Sequence, residues 1–254
     1  MFSKINTFIW YLKNPKLLPD AVLKIKTKFF YRIKENSGTD AISWCSAQAI
    51  SQEAAFQKLF PGRHFEHIEN KFPEEYRYAI EQERNSRFIM GGQGAIDLLF
   101  NLCEASQSSR VLETGVAYGW STLALLLSLN AKKNTRLFSI DMPYAKIGND
   151  DFVATVVPIN LKEPWTLIRE SDYTGVPKAI SILKEIDLCH YDSDKSYLGR
   201  KRSYKIIWKA LKNGSLFISD DVSDNLGFKE FCEAIHLSPI IVYWNNKYIG
   251  ILKK

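Results

Sequence analysis

Val111-Leu112-Glu113-Thr114-Gly115-Val116-Ala117-Tyr118-Gly119-Trp120-Ser121-Thr122 decides the fold. A short apolar run ends in an acid, two glycines follow, and an apolar run of helical length begins behind them. That order reads as a strand turning sharply into a helix. Gly115 and Gly119 allow the tight turn and a close backbone approach. The helix starting near Gly119 aims its free N–H groups at whatever sits above the strand, which favours an anion such as a carboxylate. Ser121 adds a hydroxyl donor at the same place. A plain strand–turn–helix joint also carries glycines, so the neighbouring segments must decide between a joint and a binding site.

Outward from this stretch, strands alternate with helices from Arg110 onward. Strands are expected over Arg110–Glu113, Arg136–Asp141, Trp165–Glu170, Ile186–Tyr191 and Ser215–Ser219. Helices over 119–130, 176–185 and 200–212 lie between them. In the last, Tyr204, Ile207, Trp208 and Leu211 make one apolar face, and Asn213-Gly214 ends it. Such alternation means a parallel sheet with helices on both faces. The C-terminus departs from it: Ile240–Trp244, Asn245-Asn246 and Lys247–Lys253 read as a hairpin with a two-residue turn. The expected fold class is α/β, a Rossmann-like sheet of five parallel strands plus a C-terminal antiparallel hairpin, with an N-terminal helical extension. Upstream, one helix over Thr39–Phe60 is stopped by Pro61-Gly62, and another begins near Pro73. A third carries Ile96, Leu99, Phe100 and Cys103 at helical spacing. Residues 1–88 read as a basic helical arm and cap, and residues 89–254 as the ligand-binding domain.

The chain has 254 residues, 46% of them hydrophobic, enough to bury one full core. Its net charge of +6 is unevenly placed. Residues 1–34 hold eight basic side chains against one acid, Asp20, a net +7, which leaves about −1 for the rest. Nucleic-acid binding by the body is therefore not expected. The arm mixes its lysines with Phe2, Phe8, Ile9, Trp10, Tyr11, Phe29, Phe30 and Tyr31. That composition suits reversible contact with an anionic membrane surface, or equally packing on its own body or on a homodimer partner. No stretch approaches the roughly 20 apolar residues that span a bilayer. Lys13-Asn14-Pro15-Lys16 cuts the N-terminal apolar patch too short for a secretory signal. Cys45, Cys103, Cys189 and Cys232 stand singly, without C-x-x-C spacing. A zinc site and a disulfide framework are thus not expected, and a reducing, cytoplasmic setting is.

Asp141 tips the balance towards a binding site. It ends the second strand, 22 residues after Gly119, near where an acid meets a ribose diol in such folds. The spacing also fits a nicotinamide cofactor, but that fingerprint is G-x-G-x-x-G and the last gap here is wrong. Glu113 would lie near a pyrophosphate, yet it suits a cationic amino group. A methionyl ligand has both an ammonium and a carboxylate, which the acid and the helix N-terminus answer together. Glu113–Thr122 resembles the first motif of class I S-adenosylmethionine-dependent methyltransferases of the catechol and macrocin O-methyltransferase kind. Phe138-Ser139-Ile140-Asp141-Met142-Pro143 is similar to their second motif. His190–Tyr197 and Leu216–Asp221 resemble the fourth and fifth strand ends of a bacterial branch of these enzymes. The resemblance covers roughly residues 88–254. It implies S-adenosylmethionine as cofactor, with Glu113, Gly115, Gly119, Ser121 and Asp141 binding it and Glu170 and Ser171 near the adenine. Ala117 stands where many members have a glycine, and Arg169 replaces another.

Three carboxylates, Asp192 at the end of the fourth strand and Asp220 and Asp221 at the end of the fifth, are expected to converge on one rim. Their repulsion needs neutralising, and an oxygen-only cluster suits Mg2+ or another divalent cation. The resemblance implies a metal there too, and a lysine base three residues after the first acid, which is Lys195. His190 lies inside the strand and reads as a packed residue. The function expected is methyl transfer from S-adenosylmethionine to a hydroxyl of a small-molecule acceptor, assisted by metal. The alternatives are a nicotinamide or nucleotide-sugar enzyme on the same sheet, and a non-catalytic S-adenosylmethionine-binding module. Acceptor contacts are expected from residues 36–92 and the 142–164 loop.

Overall fold

The computed structural model describes residues 2–144 and 148–254, without the side chains of residues 2–6 and 8. Phe2, Lys4 and Phe8 of the expected arm surface, and residues 145–147 of the expected acceptor loop, thus lie outside what is described. Seven strands form one sheet: β1 (Arg110–Thr114), β2 (Arg136–Ile140), β3 (Trp165–Ile168), β4 (Ile186–Tyr191), β5 (Leu211–Ser219), β6 (Ile240–Trp244) and β7 (Lys247–Lys253). Their order is β3-β2-β1-β4-β5-β7-β6. The first five are parallel, and β7 runs antiparallel to both β5 and β6. Val111, Leu112, Leu188 and Cys189 are fully buried, as strands covered on both faces must be. Asn245 and Asn246 both have positive φ, 44° and 63°, which lets the two-residue turn close the β6–β7 hairpin.

Three local readings need correction. The helix expected over Thr39–Phe60 is two, Gly38–Ser46 and Gln52–Leu59. Ser51 caps the second, its Oγ accepting from the Ala54 amide at 3.2 Å. Just before it, Ile50 runs extended and bridges to Val242 at the sheet edge. Backbone pairing with β6 thus overrides a helical pattern. The helix expected over 176–185 spans Asp172–Leu183. Pro177 falls inside it and frees the Tyr173 carbonyl, which accepts from the Arg202 guanidinium at 3.0 Å. The helix expected over 200–212 spans Tyr197–Ala210, and Leu211 already belongs to β5, with Gly214 at φ 86°.

The helices of residues 38–84 share the body's core. Phe56, Ile68 and Ala79 are buried in the same cluster as Val111, Leu123 and Ile218. The arm proper is formed by the helices Phe2–Lys13 and Leu18–Phe30, and the short turn Arg32–Glu35 fastens it to the body. There Glu35 accepts from the Tyr197 amide at 2.7 Å, Lys34 pairs with Glu230, and Tyr31 stacks on Tyr197. All four cysteines are free and buried. Among the described residues no helix is long and apolar enough to cross a membrane.

Candidate functional site

Strand order reverses at β1, whose neighbours β2 and β4 lead their following loops to opposite sides. Open α/β sheets take their ligands at such a switch point, beyond the carboxyl ends of the strands. A cavity of about 700 Å³ lies there, within the usual range for small-ligand sites. Gly115, Ser121, Asp141, Asp192, Lys195 and Asp220 all line it. Glu113, Gly119, Glu170, Ser171 and Asp221 do not reach its wall.

The loop after β1 forms the floor. Gly119 caps the helix Trp120–Leu129 at φ 95°, and a side chain there would press on Ala154 and Val157. Ala117 takes φ 50°, a left-handed conformation without the glycine that usually relieves it. Glu113 is fully buried below the loop. Its carboxylate accepts from Ser121 Oγ at 2.6 Å, Thr122 Oγ1 at 2.7 Å and Ser139 Oγ at 2.5 Å. So placed, it ties strand, loop and helix together.

Asp141 is 4% exposed and accepts from the Val116 amide at 3.0 Å. Its second oxygen pairs with Arg169, which also reaches Asp150. Burial raises the Asp141 pKa, and the Val116 amide and Arg169 oppose that shift. Two carboxylate oxygens offer about four acceptor directions, so lone pairs remain for a diol. The Arg169 bridge was missed in the sequence, although an arginine directly after a strand end, beside the rim acid of the next strand, was a signal for it. At the same edge the Ser171 hydroxyl is buried without a hydrogen-bond partner, and Glu170 pairs with Lys178 at 2.7 Å.

On the other side of β1, the three expected carboxylates meet cations. Lys195 Nζ lies 3.0 Å from Asp192 and also pairs with Asp221. Lys247 approaches the other oxygen of Asp221 at 3.4 Å. His190 is buried between Asp220 and Glu113, at 3.6 and 3.9 Å. Those separations exceed hydrogen-bond length, and both ring nitrogens lack a partner. Burial disfavours the His190 imidazolium, yet the two flanking carboxylates outweigh it and raise the pKa. Burial and the Asp220 charge push Asp192 up to about 6, with Lys195 and His190 pulling the other way. Burial likewise lowers Lys195, but Asp192 and Asp221 prevail and raise it above an ordinary lysine. Among the described residues no group of three His, Cys, Asp or Glu side chains is placed to hold a metal ion.

Lys247 was not foreseen. The antiparallel register of β7 on β5 brings the hairpin turn beside Asp221, with the Val222 amide donating to the Tyr248 carbonyl at 3.0 Å. The arm packs on the body, one of the alternatives its composition allows, and there Trp10, Tyr11, Asp20 and Lys24 wall the cavity. Tyr11 donates to Asp20 at 3.0 Å, and Lys24 pairs with Asp20 at 2.9 Å.

Residues 112–222 match the family model described as a methyltransferase domain. Over those residues the chain resembles a methyltransferase domain, and its sheet has the fold of solved methyltransferases. Solved structures with the same fold are O-methyltransferases. One, from Bacillus cereus in complex with SAH, is 13% identical, over 83% of this chain and 100% of its own, with a TM-score of 0.51. Another, from Streptomyces achromogenes, is involved in tomaymycin synthesis and was solved with SAM. It is 15% identical, over 81% of this chain and 99% of its own, with a TM-score of 0.53. No curated protein matches the chain. The family match lies entirely within the parallel part of the sheet, and the basic arm stands outside it.

Asp172, at the start of the helix Asp172–Leu183, gives a stability test within this domain. Burial raises its pKa to about 6, with the Asp194 charge adding to burial and the Ser193 hydroxyl opposing it. A carboxyl that binds protons more tightly folded than unfolded stabilises at low pH, and loses that contribution as pH rises through about 4 to 6. Asp172→Asn should therefore be more stable than wild type above about pH 6.5, by up to roughly 3 kcal/mol, and gain little near pH 4. Denaturant titrations at both pH values check this; an equal difference at each would show that Asp172 folds ionised without cost.

Proposed function

We propose that the protein transfers the methyl group of S-adenosylmethionine to a hydroxyl oxygen of a small molecule. The observation that carries this reading is one cavity with two dissimilar walls. The Gly115–Ser121 loop and Asp141 bound it on one side of β1, and Asp192 with Lys195 bound it on the other. The first wall suits the cofactor: amides at a helix N-terminus for the carboxylate and Asp141 for the ribose diol. S-adenosylmethionine supplies a methyl carbon on an already reactive sulfonium. What remains for the chain is to align an acceptor oxygen with that carbon, exclude water and take up one proton.

Asp192 and Lys195 divide the work at the oxygen. Lys195, kept protonated by two carboxylates, is a poor base but a good donor to an oxygen gaining negative charge. Asp192, pushed up to about 6, is charged at neutral pH yet holds a proton better than an ordinary aspartate. The acceptor proton therefore passes to Asp192 while Lys195 holds the oxygen. A divalent ion does not fit this donor set, because Lys195, Lys247 and His190 already face the three acids.

Calorimetric titration tests the cofactor assignment. S-adenosylhomocysteine should bind and NAD should not. Asp141→Ala should weaken S-adenosylhomocysteine about tenfold or more, the cost of a lost charge-assisted hydrogen bond. Unchanged affinity, or preferential NAD binding, would sink the assignment.

A further inference from the structure

The arm has a second face that the cavity does not use. Leu17, Asp20 and Thr27 are buried on its inner face, where the helix Leu18–Phe30 packs on the helices Asp172–Leu183 and Tyr197–Ala210. At 100° per residue, Leu18, Val22, Ile25 and Phe29 fall on the opposite side of their helix, in a band roughly 60° wide. All four face solvent: Val22 is 50% exposed, Ile25 57% and Phe29 75%. Ile33, 88% exposed, extends the band beyond the helix end. Isolated apolar residues on a surface mean little, but a continuous band along one helix marks an interface. Lys26 lies along one edge of the band and Lys28 along the other, both exposed. The arm's single acid, Asp20, is buried and paired with Lys24, so no carboxylate stands near the band within the arm.

This charge pattern selects the occupant. A second copy laid face to face would set lysine against lysine, with no acid from either arm to pair them. A sheet of anionic headgroups over an acyl boundary meets both the apolar band and its basic margins. We propose that the arm docks the protein on an anionic lipid surface, with Leu18, Val22, Ile25 and Phe29 entering the acyl boundary and Lys26 and Lys28 on the headgroups. The proposal rests on the outer face alone and stands or falls independently of methyl transfer.

Vesicle flotation of the 254-residue chain is the test. Phosphatidylcholine vesicles containing phosphatidylglycerol should carry the protein upward at low salt, and pure phosphatidylcholine vesicles should not. High salt should weaken the binding by about tenfold or more, because exposed charges are then screened. Val22→Glu with Ile25→Glu should abolish flotation while keeping the wild-type melting temperature, since both side chains face solvent. Lys26→Glu with Lys28→Glu should do the same. Wild type that stays in the soluble fraction overturns the proposal, as does flotation that survives both double variants. A dimer in light scattering that Val22→Glu with Ile25→Glu splits, without any flotation of wild type, would assign the face to a second copy and likewise overturn it.

Discussion

Lys195→Met is expected to slow methyl transfer by at least about 100-fold and to leave S-adenosylhomocysteine affinity within about threefold of wild type. Lys195 pairs with Asp192 and Asp221, across β1 from Asp141 and the Gly115–Ser121 loop, so on the proposed reading its loss should touch the reaction and not the binding. The pH profile distinguishes this role from a merely structural one. Wild-type kcat/KM should rise through about pH 6, as Asp192 loses its proton and becomes able to accept another. Lys195 is one of the charges that lower the Asp192 pKa. With methionine in its place, the acid limb should move to higher pH as well as lower rate. Lys195→Arg keeps the cation and should keep the limb near its wild-type position. Turnover of a true acceptor by Lys195→Met within about threefold of wild type would remove Lys195 from the mechanism.

The parallel strands were legible because each is an apolar run bounded by a turn signal, and because strand ends carry the polar residues. Asp192, Asp220 and Asp221 are expected on one rim from chain order alone; Asp192 and Asp220 line the cavity together with Asp141, whereas Asp221 does not reach its wall and pairs with Lys195 and Lys247. What the sequence concealed was pairing at a distance. Arg169 follows β3, and only the neighbouring β2 brings Asp141 to it. Lys247 is 26 residues beyond Asp221 and returns to it only through the antiparallel hairpin. Reading the three acids as an uncompensated cluster led to a cation from outside, whereas Lys195, Lys247 and His190 supply the counter-charge from the chain itself.

The arm shows the same limit from another side. Its charge was plain in composition, but composition cannot assign the two faces of a helix. Asp20 reads as the lone acid of a basic segment. In the fold it is the buried residue on which Tyr11 and Lys24 converge at the cavity wall. The split of the Thr39–Phe60 helix has a similar cause, since Ile50 is drawn into extended pairing by a strand nearly 200 residues later.

Gly115→Ala should have the largest effect on the cofactor wall: S-adenosylhomocysteine affinity lower by at least roughly 100-fold, or about 2.7 kcal/mol. Two independent strains act at this position. Gly115 has φ 81°, where an alanine costs about 1–2 kcal/mol from its own Cβ. That Cβ would also overlap the carbonyl oxygen of Asp192, so the loops after β1 and β4 cannot both stay in place. Thr114, just before it, accepts from the Asp192 amide at 2.9 Å, which leaves little room for the loops to part. Relief must displace either the helix-leading loop or Asp192, and overpacking of this kind adds about 1–3 kcal/mol. Gly62→Ala separates the two strains, because Gly62 has φ 77° but no atom within 4 Å of where an alanine methyl would sit. It should lose about 1–2 kcal/mol of stability from φ alone and bind S-adenosylhomocysteine as wild type does. Calorimetry on both variants, with denaturant titrations to confirm folding, makes the comparison. If folded Gly115→Ala binds as tightly as Gly62→Ala, the loop after β1 does not hold the cofactor.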